Sequence, residues 1–329
     1  MEKELSIKEA LELAVKYHLN GELEQALIIY KKILEKNPNN SNALHLLGVI
    51  EYQSGKYDEA VEHITKAIKI SPNSANYHSS LGTIYDDLGR EEDSVASFRR
   101  ALKINPGYNK AHVAHYNLGI YCMSKGRVKE ALEHYDKAIE LDSTFYDARW
   151  NRSLALLLLG RFEEGWSEYE YRFKKISPTD KRTFNCPKWE GNSLEGKRIL
   201  ILSEQGFGDN INFVRYLPFV KERGGHIILE CKKELIRLFE GFSGIDEILE
   251  KKGNSFSEVK SDFYIHLMSL PKIFNTNLEN IPNSIPYLKA DSALANKFKE
   301  ELNTNDFKIG IAWAGNPKQE NDRNRSTTF

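Results

Sequence analysis

Glycine and proline recur along the first half of this sequence at a fixed interval, which constrains the fold more than any other feature. Gly21, Gly55 and Gly89 stand 34 residues apart, and so do Pro38, Pro72 and Pro106. Gly48 and Gly82 keep the same step, as do Ala26 and Ala60. Beyond Pro106 the frame slips by three, giving Gly119 and Gly126, and it returns to 34 with Gly160. Five units follow, about 7–40, 41–74, 75–108, 112–145 and 146–178. A period of this length marks a supersecondary unit that cannot bury its apolar face alone, so successive units must stack.

Each unit reads as two helices. In the second, Leu44, Leu47 and Gly48 belong to the first helix, Gly55 sits in the turn, and Ala60, Ile64, Ala67 and Ile68 follow at helical spacing. Small residues (Ala26, Ala60, Ser94, Ala131, Gly165) fall where the two helices would cross closely. Large apolar residues (Tyr30, Ile64, Phe98, Tyr135, Tyr169) recur as packing knobs. Proline ends the second helix, because it lacks an N–H and disfavours helix in the residue before it.

Composition narrows the class. The chain has 329 residues, with 46 Lys+Arg against 47 Asp+Glu, 28% charged and 40% apolar residues. At ~150 residues per domain this suggests about two domains, and the balance excludes a disordered chain. A net charge of −1 carries no signature of a nucleic-acid or anionic-membrane partner. Cys122, Cys186 and Cys231 are odd in number and scattered, which suits a reduced compartment and argues against a zinc site built on thiolates. The N-terminus is acidic where a secretory signal would be basic, and the longest apolar run, 154–159, is six residues. A spanning helix needs ~20. A cytoplasmic chain is expected.

The 34-residue pattern resembles the tetratricopeptide repeat over 7–178, which implies a right-handed solenoid of helix pairs with one concave face. In that frame, position six of the first helix looks inward and holds Leu46, Ser80, Asn117 and Asn151. Stacked amides at Asn117 and Asn151 would hold a peptide backbone, as in the repeats of some protein glycosyltransferases that this stretch resembles. The alternative is two solvated side chains. The Lys/Asn clamp of chaperone-tail-binding repeats has Leu11 and Val15 at its equivalents.

The period changes in a connector, 179–195, rich in turn residues. A strand at 198–202 runs into Glu204-Gln205-Gly206-Phe207-Gly208-Asp209, then a helix is expected over about 210–223. Strands at 226–230, 245–249 and 263–267 and a helix at 233–239 complete the pattern. Strands alternating with helices argue a parallel α/β sheet with ligands beyond its carboxyl ends, over about 196–306. Gly206 and Gly208 have the G-x-G spacing, and Glu230 stands where a dinucleotide fold keeps its ribose-binding acid. Against NAD, Asp209 opens the helix whose free N–H groups would receive a pyrophosphate. Asp209 is either an N-cap or a general base whose proton affinity is raised by burial near Glu204.

The stretch Gly196-Lys197-Arg198 to Arg215-Tyr216 looks like the opening of bacterial tetratricopeptide-repeat glycosyltransferases, similar to the heptosyltransferase group with its two-Rossmann-domain (GT-B) fold. Leu267 to Pro271, Ile285 to Leu288, Gly310 to Pro317 and Asn321 to Ser326 look like further landmarks. The resemblance implies the N-terminal half of a GT-B fold. It makes Asp209, of the Gly208-Asp209 pair, the catalytic base and Glu204, Gln205, Gly206 and Gly208 acceptor-site residues. A nucleotide sugar would be the donor, near Gly315, Asn316 and Arg325, with no metal and no other cofactor. Only 307–329 would belong to the donor domain, which needs on the order of 130 more residues, so a fragment inactive by itself is expected.

His112-x-x-His115 lacks a third ligand nearby in sequence and is read as two surface imidazoles. Trp166, Tyr169, Tyr171 and Phe173 are expected to pack the solenoid against the α/β domain. Three functions remain: a repeat-bearing glycosyltransferase whose solenoid recruits a protein or glycan acceptor, a non-catalytic scaffold for protein–protein interaction, and, weakest, an NAD-linked enzyme that would depend on Glu230.

Overall fold

The computed structural model describes residues 5–175, 182–252 and 259–302. Two compact units form, Met1–Asn283 and Ser284–Phe329.

The first unit opens with ten helices in five pairs: α1 Ile7–Leu19, α2 Leu23–Lys36, α3 Ser41–Gln53, α4 Tyr57–Ile70, α5 Ala75–Asp87, α6 Glu91–Ile104, α7 Ala111–Ser124, α8 Val128–Leu141, α9 Tyr146–Leu158 and α10 Phe162–Tyr169. Each packs on the next. The turn within each pair is made by Gly21, Gly55, Gly89, Gly126 or Gly160 at φ between 69° and 80°, the left-handed region that glycine enters without a Cβ clash. The knobs Tyr30, Ile64, Phe98, Tyr135 and Tyr169 are all buried. The small residues Ala26, Ala60, Ser94, Ala131 and Gly165 are buried with them, as the periodicity requires. In the second, third and fourth pairs a glycine on the first helix admits the knob of the second, whereas the first and fifth pairs carry Ala14 and Ser153 at that place. A Cβ on Gly48 would lie 2.7 Å from Ile64, on Gly82 3.0 Å from Phe98, and on Gly119 2.4 Å from Tyr135.

The three inserted residues after Pro106 have a definite place. Asn105 Oδ1 accepts the Gly107 N–H at 3.0 Å, and Tyr108 turns inward among Val95, Phe98, Ala111, Ala114 and Leu118. The core thus anchors the longer turn.

Beyond the helices, β1 Arg198–Leu202, β2 His226–Cys231, β3 Glu247–Glu250 and β4 Phe263–His266 form a parallel sheet in the order β3-β2-β1-β4. β1 is buried along Ile199–Leu202, which fits its unbroken apolar run. The helix expected over 210–223 is instead α11 Phe207–Phe213, a 3₁₀ turn, and α12 Leu217–Lys221. Pro218 lies in the first turn of α12, where its missing N–H is tolerated, and it prevents one continuous helix. α13 Lys233–Phe239 and the short α14 Leu270–Ile273 complete this unit.

Repeats and sheet share a buried junction. Trp166 meets Phe213 edge-on at 5.7 Å, Phe173 meets His266 at 4.5 Å, and the Tyr169 hydroxyl donates to Met268 Sδ at 3.7 Å. Tyr171 departs from expectation: it stacks on Tyr146 within the repeats at 5.5 Å, because the 3₁₀ turn at Glu170–Phe173 rotates it back. The same turn buries Arg172 completely. Its Nη2 and Nε donate to Glu204 at 2.7 and 3.1 Å, its Nη1 to Glu170 at 2.8 Å, and its Nη2 to Ser269 at 2.8 Å. Lys188 pairs with Glu170 as well. Burial would raise the proton affinity of Glu170, but Arg172 and Lys188 outweigh it and hold its pKa down to about 2.

In the second unit, α15 Ser292–Glu301 is capped by Asp291 Oδ1, which accepts from Ala293 and Leu294 at 2.9 and 3.0 Å. The division at Asn283 falls inside the 196–306 stretch expected as one domain, and α15 buries none of its residues. Residues 307–329 lie outside the described residues, as do Gly315, Asn316 and Arg325. Among the described residues no helix is long and apolar enough to cross a membrane.

Gly119→Ala should destabilise the chain by about 1–3 kcal/mol, because the new methyl has no room beside the buried Tyr135 ring. Urea unfolding followed by helical circular dichroism measures it, with a lowered midpoint expected.

Candidate functional site

The first helices of successive repeats are joined across one face by side chains 35 residues apart. His18 Nε2 meets Gln53 Oε1 at 3.1 Å, His45 Nε2 meets Ser80 Oγ at 2.9 Å, and the Tyr52 hydroxyl donates to Asp87 at 2.6 Å. Tyr77 donates to Asn42 at 2.5 Å, and the Asn151 amide donates to the Tyr116 hydroxyl at 3.1 Å. A spacing of 35 against a period of 34 means that each rung leans one residue forward.

A groove of about 520 Å³ opens where the period is interrupted. α3 contributes Val49, Tyr52 and Gln53, and α5 contributes Ser79, Ser80, Thr83 and Ile84. Asn109, Lys110, His112 and Val113 come from the inserted turn and the start of α7. Hydroxyls and amides can pair with a peptide backbone, while Val49, Ile84 and Val113 offer apolar contact. His45 stands behind Ser80. Burial above all, then Lys110 and His18, push its pKa down to about 4, so it stays neutral near pH 7.

Of the inward residues expected from the frame, Ser80 lines the groove, Leu46 packs against the first core, and Asn117 and Asn151 are half-buried on α7 and α9. The groove residues Asn109 and Lys110 were missed. Their signal was the three-residue slip itself, which marks an insertion without telling which way it points.

The loop after β1 is a second polar cluster. Glu204 is buried with both carboxylate oxygens on Arg172, so it forms a structural contact rather than an exposed acceptor group. Gln205 has φ 63°, unusual for a residue with a Cβ, and its Nε2 donates to the Tyr169 hydroxyl at 3.4 Å. Asp209 is the third residue of α11 and not its cap. Gly206 holds the cap position, and Asp209 Oδ2 accepts its N–H at 3.0 Å. The helix starts earlier than expected because Asn210, anchored to the Glu204 and Gly206 carbonyls at 3.0 and 2.7 Å, already lies on its first turn. Apart from its chain neighbours and the backbone of its own helix, nothing would lie within 4 Å of a Cβ on Gly208, so its side is open. Glu230 is buried against Arg182 at 2.8 Å, a partner that leaves it poorly placed for a ribose.

The two histidines of His112-x-x-His115 also part company. His112 is half-buried and meets Phe145 edge-on at 5.4 Å, whereas His115 is buried with its Nδ1 3.0 Å from His134 Nδ1. The expected pair of surface imidazoles is therefore corrected: one turn of helix aims His115 at α8.

Comparison with known proteins bears on the repeats. Residues 29–62, 75–108 and 112–145 each match a tetratricopeptide repeat family, and 48–89 match a TPR repeat family. The first half of the chain carries tetratricopeptide repeats. Protein FlbA of Caulobacter vibrioides is 33% identical over 39% of this chain and 22% of its own length. An uncharacterized protein of Methanocaldococcus jannaschii is 48% identical over 15% of this chain and 58% of its own. The chain thus spans less than two thirds of either relative. Among solved structures, the MamA protein shares 25% identity at a TM-score of 0.43, covering 51% of this chain and 90% of that one. The pilF protein of Pseudomonas aeruginosa shares 19% at 0.48, covering 52% and 77%. YrrB, described as a TPR protein with an unusual peptide-binding site, shares 21% at 0.42, covering 51% and 86%.

The half-buried His45 imidazole behind the groove gives the repeats a pH signature. Unfolded His45 takes a proton near pH 6.5 and folded His45 near 4, so its contribution to stability is complete above 6.5 and is lost as pH falls toward 4. Melting temperature measured across that window should decline, and His45→Gln, which keeps a partner for Ser80, should decline less steeply.

Proposed function

We propose that the chain is a repeat scaffold that docks an extended segment of a protein partner along the groove between α3, α5 and the start of α7, continuing past Asn117 and Asn151. The observation that carries this reading is the groove itself: it is lined by both polar and apolar side chains, together with Lys110. An extended peptide offers the matching backbone amides, and one cation favours a segment with an acidic residue.

The test is a library of random peptides displayed on phage and selected against the chain. Enriched peptides should bind with a measurable Kd, and Thr83→Trp, which fills the groove, should weaken them by about tenfold or more, a loss of ~1.4 kcal/mol. Glu62→Gln on the exposed side of α4 should leave them unchanged. Equal binding to the Thr83 variant would overturn the proposal.

A second reading concerns the α/β half: an acceptor-type domain of a glycosyltransferase, which joins a sugar from a nucleotide sugar to a docked protein or glycan hydroxyl. It draws support from the parallel sheet and from the placement of Gly206, Gly208 and Asp209 beyond the carboxyl end of β1. Asp209 Oδ2 is engaged by Gly206, and Oδ1 is the atom that would take the hydroxyl proton. Gly315, Asn316 and Arg325 would meet the donor diphosphate, with no metal and no other cofactor. The protein as its source makes it, given radiolabelled nucleotide sugars, should transfer label, and Asp209→Asn should abolish transfer with the melting temperature held. Full transfer by that variant would remove the base assignment.

A further inference from the structure

The fourth repeat carries a cluster that neither groove nor loop accounts for. Cys122 Sγ from α7, and a carboxylate oxygen of Glu130 and a ring nitrogen of His134 from α8, all lie within 4.8 Å of one another. Glu130 and His134 are four residues apart on one face of α8, and Cys122 is buried opposite them. His115, two helical turns before Cys122, holds the His134 ring through the 3.0 Å contact between their Nδ1 atoms. From these donors we infer a zinc site, with Cys122, Glu130 and His134 as protein ligands and His115 as the residue that orients His134.

Several features favour it. A thiolate and a carboxylate balance the charge of Zn²⁺, and the mixture of soft sulfur, imidazole and carboxylate is one that zinc accepts. Donors around a tetrahedral zinc sit roughly 3.5 Å apart, so the three, within 4.8 Å of one another, would close by about 1 Å at most. A second ring holding the first is the arrangement that fixes a ligating histidine. Arg127, at 3.0 Å from Glu130, and Arg99, at 4.0 Å, share its charge, which opposes a cation.

The other repeats fill the same four places differently, the first with Ala10, Tyr17, Gln25 and Ile29. Counted from the turn glycine, the second repeat places Leu44, Glu51, Glu59 and His63 there, and Glu51 pairs with His63 at 2.7 Å. The fifth places Arg149, Leu156, Glu164 and Glu168, with Glu168 held by Arg149 at 3.7 Å. Imidazole, thiol or carboxylate stands at all four places only in the fourth repeat.

The experiment titrates the metal-stripped, untagged chain with ZnCl₂ by calorimetry, and with CoCl₂ by absorption spectroscopy. One equivalent of Zn²⁺ should bind, and Co²⁺ should give a thiolate charge-transfer band with the visible bands of tetrahedral coordination. Cys122→Ser should remove the charge-transfer band, and His134→Asn should weaken Zn²⁺ binding at least about tenfold. Cys231→Ser, in the sheet, should change neither. Circular dichroism shows whether each variant remains helical, and Glu130→Gln, with only one atom exchanged, gives an independent loss if packing fails in the others. Absence of zinc uptake by the native chain overturns the inference. So does equal uptake by folded Cys122, His134 and Glu130 variants.

Discussion

The contact between a glycine on one helix and a large side chain on the next sets the geometry of the three middle helix pairs, on which the rest of the repeats stack. Gly48 against Ile64, Gly82 against Phe98 and Gly119 against Tyr135 bring the two helices of a pair close enough that a single methyl group would collide. That closeness fixes where the first helices lie, and with them the hydrogen-bonded rungs that tie His18 to Gln53, His45 to Ser80 and Tyr116 to Asn151. An insertion reshapes the surface of such a repeat without altering the spacing of its helices. The insertion after Pro106 does this: Tyr108 fills the core, and Asn109 and Lys110 become the wall of a groove.

A second constraint joins the repeats to the sheet. Arg172 is a cation with no access to water, and its desolvation is offset by two carboxylates and a hydroxyl. Glu170 and Arg172 lie on the last turn of the repeats, Glu204 on the loop after β1, and Ser269 on the turn after β4. The junction therefore needs both halves in place at once. The loop that carries Asp209 starts from Glu204, so the repeats hold the entrance to the sheet in one position.

Much of this was legible in the residues. The glycines and knobs gave the helix pairs because their period is set by backbone sterics and volume, both local properties. β1, β2 and α13 were read at nearly their observed limits for the same reason. Other features depend on partners distant in sequence and could not be read that way. Glu204 looked like a polar loop residue until Arg172, 32 positions earlier, was seen to hold it. His115 looked exposed because its partner, His134, lies on the next helix, and the same separation concealed Cys122 as a neighbour of His134. Asp209 looked like a cap because spacing fixes a helix start only to within a turn.

Amide hydrogen exchange of the chain, with and without a peptide selected on it, addresses the central claim that the interrupted period makes the docking site. Slower exchange in 49–53, 79–84 and 109–113 is the expected result, because those segments line the groove. Slower exchange confined to 203–210, with the three groove segments unchanged, would contradict it and move recognition to the loop beyond β1.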